Sequence, residues 1–116
     1  MLQFFGYAGC STCRKAEKKL REFGRSFDAV DITQNPPSAA QLRKLLALGI
    51  PLKRLYNTSG EMYRRPEIRK KIETLNEDAQ LELLAANGRL IRRPIVFGNA
   101  AASVGFNEEE FRRTWT

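Results

Sequence analysis

The 116-residue sequence contains no histidine and only two cysteines, Cys10 and Cys13. With no histidine and no second cysteine pair, the two thiols cannot complete a four-ligand zinc site, and no metal is expected. Two cysteines three residues apart cannot build a disulfide framework, so nothing in the cysteine usage calls for an oxidising compartment. No apolar run is long enough to span a membrane and no signal-peptide pattern opens the chain; a cytoplasmic location without a membrane partner is expected. Internal repeats, low-complexity tracts and Ser/Gly linkers are missing, and the length is that of one domain covering 1–116. Charge of one sign is also in short supply: 13 Asp and Glu face 20 Lys and Arg, a formal net charge of +7. That balance invites an anionic partner. Nucleic acid recognition would ask for a groove-reading motif or interleaved exposed aromatics, and the sequence has neither, so direct nucleic-acid binding is not expected. The stripe Arg14, Lys18, Arg21, Arg25 reads as a solvated helix face.

What the chain does have is Gly9-Cys10-Ser11-Thr12-Cys13-Arg14-Lys15, placed after a short apolar run (Leu2, Phe4, Phe5, Tyr7) and opening a stretch of helical periodicity. Strand, turn, helix is the implied order. Cys10 then sits at the helix N-terminus, where unpaired N–H groups and the helix dipole favour thiolate over thiol. Thiolates in such positions and in Cys-X-X-Cys pairs have pKa values lowered to roughly 3.5–7.5. Cys10 is the candidate nucleophile. Cys13 falls in register with Ala16, Leu20 and Phe23, toward the buried face yet within reach of Cys10, the arrangement of a resolving thiol.

Along the chain, Leu2–Tyr7 reads as a buried strand, Ser11–Phe23 as a helix ended by Gly24, and Phe27–Ile32 as an alternating strand, which completes a β-α-β unit. A block of helices follows over about 38–88. Ser38 and Gln41 form a capping box for a helix burying Leu42, Leu45 and Leu46. Pro51–Leu55 is a further short helix, Pro66 starts another, and Asn76 caps a fourth. Leu90–Phe97 returns to strand chemistry, Gly98-Asn99 signals a hairpin, and Ala101–Gly105 can pair with it. Asn107 with Glu110 and Phe106 with Phe111 start the last helix as capping box and hydrophobic staple. The fold class is α/β, with thioredoxin/glutaredoxin-like β-α-β and β-β-α halves and a helical insertion between them.

Five pieces in this order, namely the Cys-X-X-Cys turn, Pro36-Pro37-Ser38, Leu55-Tyr56-Asn57-Thr58-Ser59-Gly60 with Tyr63-Arg64, Leu90-Ile91-Arg92-Arg93-Pro94-Ile95, and Val104-Gly105-Phe106, resemble the arsenate reductase/Spx family over nearly the whole chain. The resemblance implies that Cys10 is the nucleophile, that Arg93 holds an oxyanion, and that Pro94 is the family's cis proline beside the site. Ser11, Thr12 and Arg14, with Arg93 and Pro94, are the residues it offers for an anion or thiol substrate. Where arsenate-reducing members carry two further anion-binding arginines, the resemblance sets one on Asn57 and the other near Phe106 of this chain. Losing two of three fixed donors argues against arsenate. Cys13 also departs from those members, which have one nucleophile in this loop and depend on external glutathione.

Three readings follow. The first is an arsenate reductase-like thiol–disulfide oxidoreductase, with no bound cofactor and with glutathione, glutaredoxin or thioredoxin as thiol partner. The second is an Spx-type redox-sensing regulator that binds RNA polymerase; the chain departs from that type in the Asn57–Arg64 loop and in lacking a C-terminal extension, which tips the expectation toward the enzyme. The third, a thioredoxin fold with incidental cysteines, is opposed by the strand–Cys-X-X-Cys–helix context. Cα atoms one helical turn apart lie within the usual bridging distance of roughly 4.4–6.8 Å, so mild oxidation should close a Cys10–Cys13 disulfide, seen as a two-proton mass loss. Peroxide products that are only sulfinic acid or intermolecular dimers would remove Cys13 from the resolving role.

Overall fold

The computed structural model describes all 116 residues. In chain order the elements are β1 (Leu2–Gly6), α1 (Ser11–Glu22), β2 (Phe27–Asp31), α2 (Ala39–Ala47), a 3-10 turn (Leu52–Leu55), α3 (Glu61–Arg64), α4 (Pro66–Thr74), α5 (Glu77–Ala86), a second 3-10 turn (Gly88–Leu90), β3 (Ile95–Phe97), β4 (Ala102–Val104) and α6 (Glu108–Trp115). They fall into two compact units, residues 1–32 with 93–116, and residues 33–92.

The first unit is a four-stranded sheet of order β2-β1-β3-β4 carrying α1 and α6. β1 runs parallel to β2 and antiparallel to β3, with Phe4 opposite Val96 and Phe5 opposite Ile95. Alternation puts Leu2 and Phe4 on one side of β1, and with Val96 they meet Cys13, Ala16 and Leu20 of α1 and Phe111 and Trp115 of α6 in one buried cluster. This is the expected β-α-β and β-β-α arrangement of a thioredoxin-like fold.

The helix ends follow from the sequence. Gly24, at φ 73°, stops α1: its N–H bonds to the Arg21 carbonyl and that of Arg25 to the Leu20 carbonyl. These two bonds satisfy carbonyls that would otherwise be orphaned, and the left-handed residue costs glycine nothing. At the start of α6 the Asn107 side chain accepts the Glu110 N–H, and the Phe106 and Phe111 rings lie 5.1 Å apart. Lys19 of α1 reaches Glu108 of α6 at 2.9 Å, and this partner holds the Glu108 carboxyl below its usual range. β2 is an edge strand, so its burial is weaker than the alternation expected: Phe27 and Val30 are half-buried, while Asp28, Ala29 and Asp31 are exposed.

In the second unit α2 packs on α5 through Leu42, Leu45, Leu81 and Leu84, all fully buried. The Ser38–Gln41 capping box is present in both directions, and the Asn76 side chain caps α5 by accepting the Ala79 N–H. α4 buries no residue completely. Two elements differ from expectation. The strand read from Leu90 begins only at Ile95: Leu90 belongs to a 3-10 turn that starts at Gly88, and Ile91 makes a single antiparallel bridge to Tyr56. The turn α3 has no strong sequence signal and ends at Arg65 (φ −65°, ψ 125°), because the residue before Pro66 is sterically kept out of the helical region.

Truncating Leu20 to Ala removes packing from the center of the cluster and is expected to cost about 2–5 kcal/mol. Asn107→Ala, which removes only a cap, should cost about 1 kcal/mol. Urea unfolding of the two variants checks both, and comparable small losses would deny the α1–sheet cluster its central role.

Candidate active site

β1 ends at Gly6, and Tyr7-Ala8-Gly9 turn the chain into α1, the turn being closed by the Cys10 N–H donating to the Tyr7 carbonyl at 3.0 Å. Cys10 is the N-cap of α1, extended at φ −96° and ψ 113°, and its Sγ accepts the Cys13 backbone N–H at 3.2 Å. The sulfur therefore occupies the position of a Ser or Asp cap oxygen. An anionic sulfur there gains a charge-assisted hydrogen bond and the positive end of the helix dipole.

Cys13 lies one turn further on and is wholly buried among Leu2, Phe4 and Ala16. Burial foremost, and then its hydrogen bond with Cys10, push the Cys13 thiol up from 9.0 to about 12; a backbone hydrogen bond with Tyr7 and the charge of Arg93 pull the other way. Cys13 is thus protonated at neutral pH and is a poor nucleophile until that proton leaves. Both cysteines are free thiols.

The other expected residues gather around this pair to different degrees. Arg93 is half-buried with its guanidinium 5.6 Å from the Tyr7 ring center, and its Nη1 is buried without a hydrogen bond. The Arg93–Pro94 peptide is cis, and the buried Pro94 offers its carbonyl to the Gly105 N–H at 2.8 Å. Arg14 is exposed and donates from Nη1 to the Ala8 carbonyl at 2.7 Å, which ties the first turn of α1 back onto the cysteine loop. Ser11 is exposed and Thr12 half-buried in that same first turn. Asn57 donates its backbone N–H to the Leu90 carbonyl within the second unit, and Phe106 is the staple of α6. Sequence reasoning missed Tyr7, taken as the end of the apolar strand; an aromatic immediately before Ala-Gly-Cys was the available signal. A cavity of about 430 Å³, lined by Met1, Leu2, Arg25, Asn99 and Trp115 at the opposite end of β1, contains none of these residues.

The sequence profile of the ArsC family matches residues 5–114. The chain belongs to the ArsC family. Within it, the chain is 42% identical to the Bacillus subtilis protein YusI over 115 residues, 98% of both chains. It is 28% identical to the global transcriptional regulator Spx of Streptococcus mutans over 113 residues, 97% of this chain and 81% of that one. Among solved structures, an ArsC family-related protein from Bacteroides fragilis superposes with a TM-score of 0.87 at 36% identity, covering 97% of this chain and 95% of its own. The arsenate reductase of Vibrio cholerae shares the fold, with a TM-score of 0.82 at 24% identity over 97% of this chain and 96% of its own. The ArsC assignment brings a thioredoxin-like, thiol oxidoreductase-like framework to a chain whose cysteine pair stands one helical turn apart at the start of α1.

Iodoacetamide at about pH 6 should label Cys10 well ahead of Cys13, because the nucleophile is the thiolate and Cys13 keeps its proton until far into the alkaline range. Labelling of Cys13 should rise only as the pH approaches its raised value of about 12. Peptide mass mapping reads both, and prior labelling of Cys13 would reverse the two roles.

Proposed function

We propose that the protein is a thiol–disulfide oxidoreductase of the ArsC type, carried by one observation: a half-buried sulfur that caps α1 by accepting the backbone N–H of a second, wholly buried cysteine. Cys10 attacks one sulfur of a disulfide substrate; the substrate S–S bond breaks, half leaves as a thiol and the other half stays on Cys10 as a mixed disulfide. Cys13 loses its proton, attacks the Cys10 sulfur and releases the second half of the substrate as a thiol. A thiol donor, glutathione, glutaredoxin or thioredoxin, then returns the pair to the dithiol. Arg93, with an unbonded buried donor, favours an anionic group at this site. Ser11, Thr12, Arg14 and Pro94 complete the contact surface for the substrate.

Arsenate is a poor substrate in this proposal. Arg93 is the single matched oxyanion arginine, whereas Asn57 and Phe106 stand at the other two positions, and one charge-assisted contact binds a doubly charged oxyanion weakly. The Spx relatives support a second reading, a redox-sensing module whose disulfide alters binding to RNA polymerase.

Purified protein should reduce a small disulfide with glutathione or thioredoxin as donor, and Cys10→Ser should abolish turnover. Arsenate reduction should stay far below disulfide reduction. RNA polymerase binding without measurable turnover would replace the enzyme reading by the regulator; efficient, saturable arsenate turnover would show that other donors, Arg14, Arg64 or Arg92 among them, complete the oxyanion clamp.

A further inference from the structure

Arg93 has no anionic partner among the protein's side chains that would fix its guanidinium, and one of its nitrogens is buried and unbonded. What the guanidinium does meet is the ring of Tyr7, 5.6 Å from ring center to Cζ. Cation–π contacts at such distances are directional, because the face of the ring carries the negative part of its quadrupole. Tyr7 is in turn held by the loop. Its carbonyl accepts the Cys10 N–H, and its backbone is hydrogen-bonded to Cys13. A Cβ on Gly9 would lie 2.6 Å from Tyr7 Cε2 and 3.3 Å from Cζ, so the ring occupies the space that a side chain at position 9 would take. Moving the ring out of that space would move it from under Arg93.

We infer that Tyr7, seated by Gly9, is a positioning residue that holds the Arg93 guanidinium toward the resolving thiol and thereby speeds closure of the Cys10–Cys13 disulfide. This rests on the reading of Cys13 as the resolving thiol. The logic is one of sequence in time. Before reaction, Cys10 raises the Cys13 pKa through its hydrogen bond and its charge, while Arg93 lowers it. Once Cys10 is in a mixed disulfide its charge is gone, and Arg93 is left as the charged group acting on Cys13. The resolving thiol therefore becomes easier to ionise after the first step than before it. The order of attack is written into the electrostatics, provided that Arg93 stays in place.

The balance of the two steps gives a direct assay. With dithiodipyridine, an uncharged disulfide, the Cys10 thiolate attacks one reagent sulfur; the reagent S–S bond breaks and one thiopyridone leaves. Cys13 then gives its proton to solvent and attacks Cys10 Sγ; the internal S–S bond forms, the mixed disulfide breaks and a second thiopyridone leaves. The protein loses two electrons and the reagent gains two. Because the probe carries no charge, direct binding of the reagent by Arg93 does not contribute. Stopped-flow absorbance should resolve two phases in the wild type. Tyr7→Ala should slow the second phase relative to the first by roughly 3- to 30-fold, the span of a partly desolvated cation–π contact. Gly9→Ala, made at an exposed loop position, should do the same by displacing the ring. Tyr7→Phe keeps the ring face and should restore the wild-type ratio, and Arg93→Gln combined with Tyr7→Ala should be no slower than Arg93→Gln alone. An unchanged phase ratio in both Tyr7→Ala and Gly9→Ala, or failure of phenylalanine to rescue, overturns the positioning role. A wild type that releases only one thiopyridone overturns the resolving role itself, and the inference with it.

Discussion

The packing of α1 on β1 through Cys13, Ala16 and Leu20 is the constraint from which the site follows. A helix bearing one apolar stripe can meet a sheet in one rotation only, and here the first residue of the stripe is itself a cysteine. Seating that stripe takes Cys13 out of water and leaves Cys10, three residues earlier, at the last extended position before the helix. The same rotation turns Arg14 outward, from where its side chain folds back onto the Ala8 carbonyl. Two chemically identical side chains thus acquire opposite surroundings because hydrophobic burial fixes the azimuth of one helix. The proposed division of attacker and resolver rests first on this difference in burial.

The absence of histidine gives these surroundings more weight. No imidazole is available to take a proton from either thiol, so the relative ionisation of the pair is governed by backbone N–H groups, by burial and by guanidinium charge. Burial is the largest of these at Cys13. It works against ionisation, and the opposing influences at that sulfur are the Tyr7 backbone and Arg93. Arg93 enters the neighborhood from the far end of the sequence, on the segment leading into β3, because β3 pairs antiparallel with β1 and brings Ile95 beside Phe5. Sheet register therefore sets how close the cation comes to the sulfur.

Much of this was legible in the residues. Strong local signals, the Cys10 turn, Gly24, the Ser38–Gln41 box, Asn76, and Asn107 with Phe106, each correspond to an element end in the structure, because capping is decided within four or five residues. The strand expected from Leu90 was misjudged because β-propensity reports burial as much as extension: Leu90 and Ile91 are buried, yet only Ile91 makes even one bridge. Tyr7 was misread for a related reason. Its place just before Ala-Gly-Cys marked it as part of the cysteine loop, but not that it stacks under a cation 86 residues away in sequence, which only the pairing of β1 with β3 decides. The unbonded nitrogen of Arg93 was beyond any reading of spacing, since it is a property of what the fold leaves out.

The cap itself couples chemistry to mechanics. Cys10 Sγ, the reacting atom of the proposed cycle, is also the acceptor that completes the first turn of α1. Charge on that sulfur strengthens the bond, and conversion to a neutral disulfide weakens it, so every oxidation loosens the end of the helix and every reduction tightens it. A cap is worth about 1 kcal/mol. For a two-electron couple that corresponds to roughly 20 mV. In the proposed cycle the helix is a weak spring wound in the dithiol state, an effect that would make the pair a slightly stronger oxidant than the same two sulfurs on an unstructured loop.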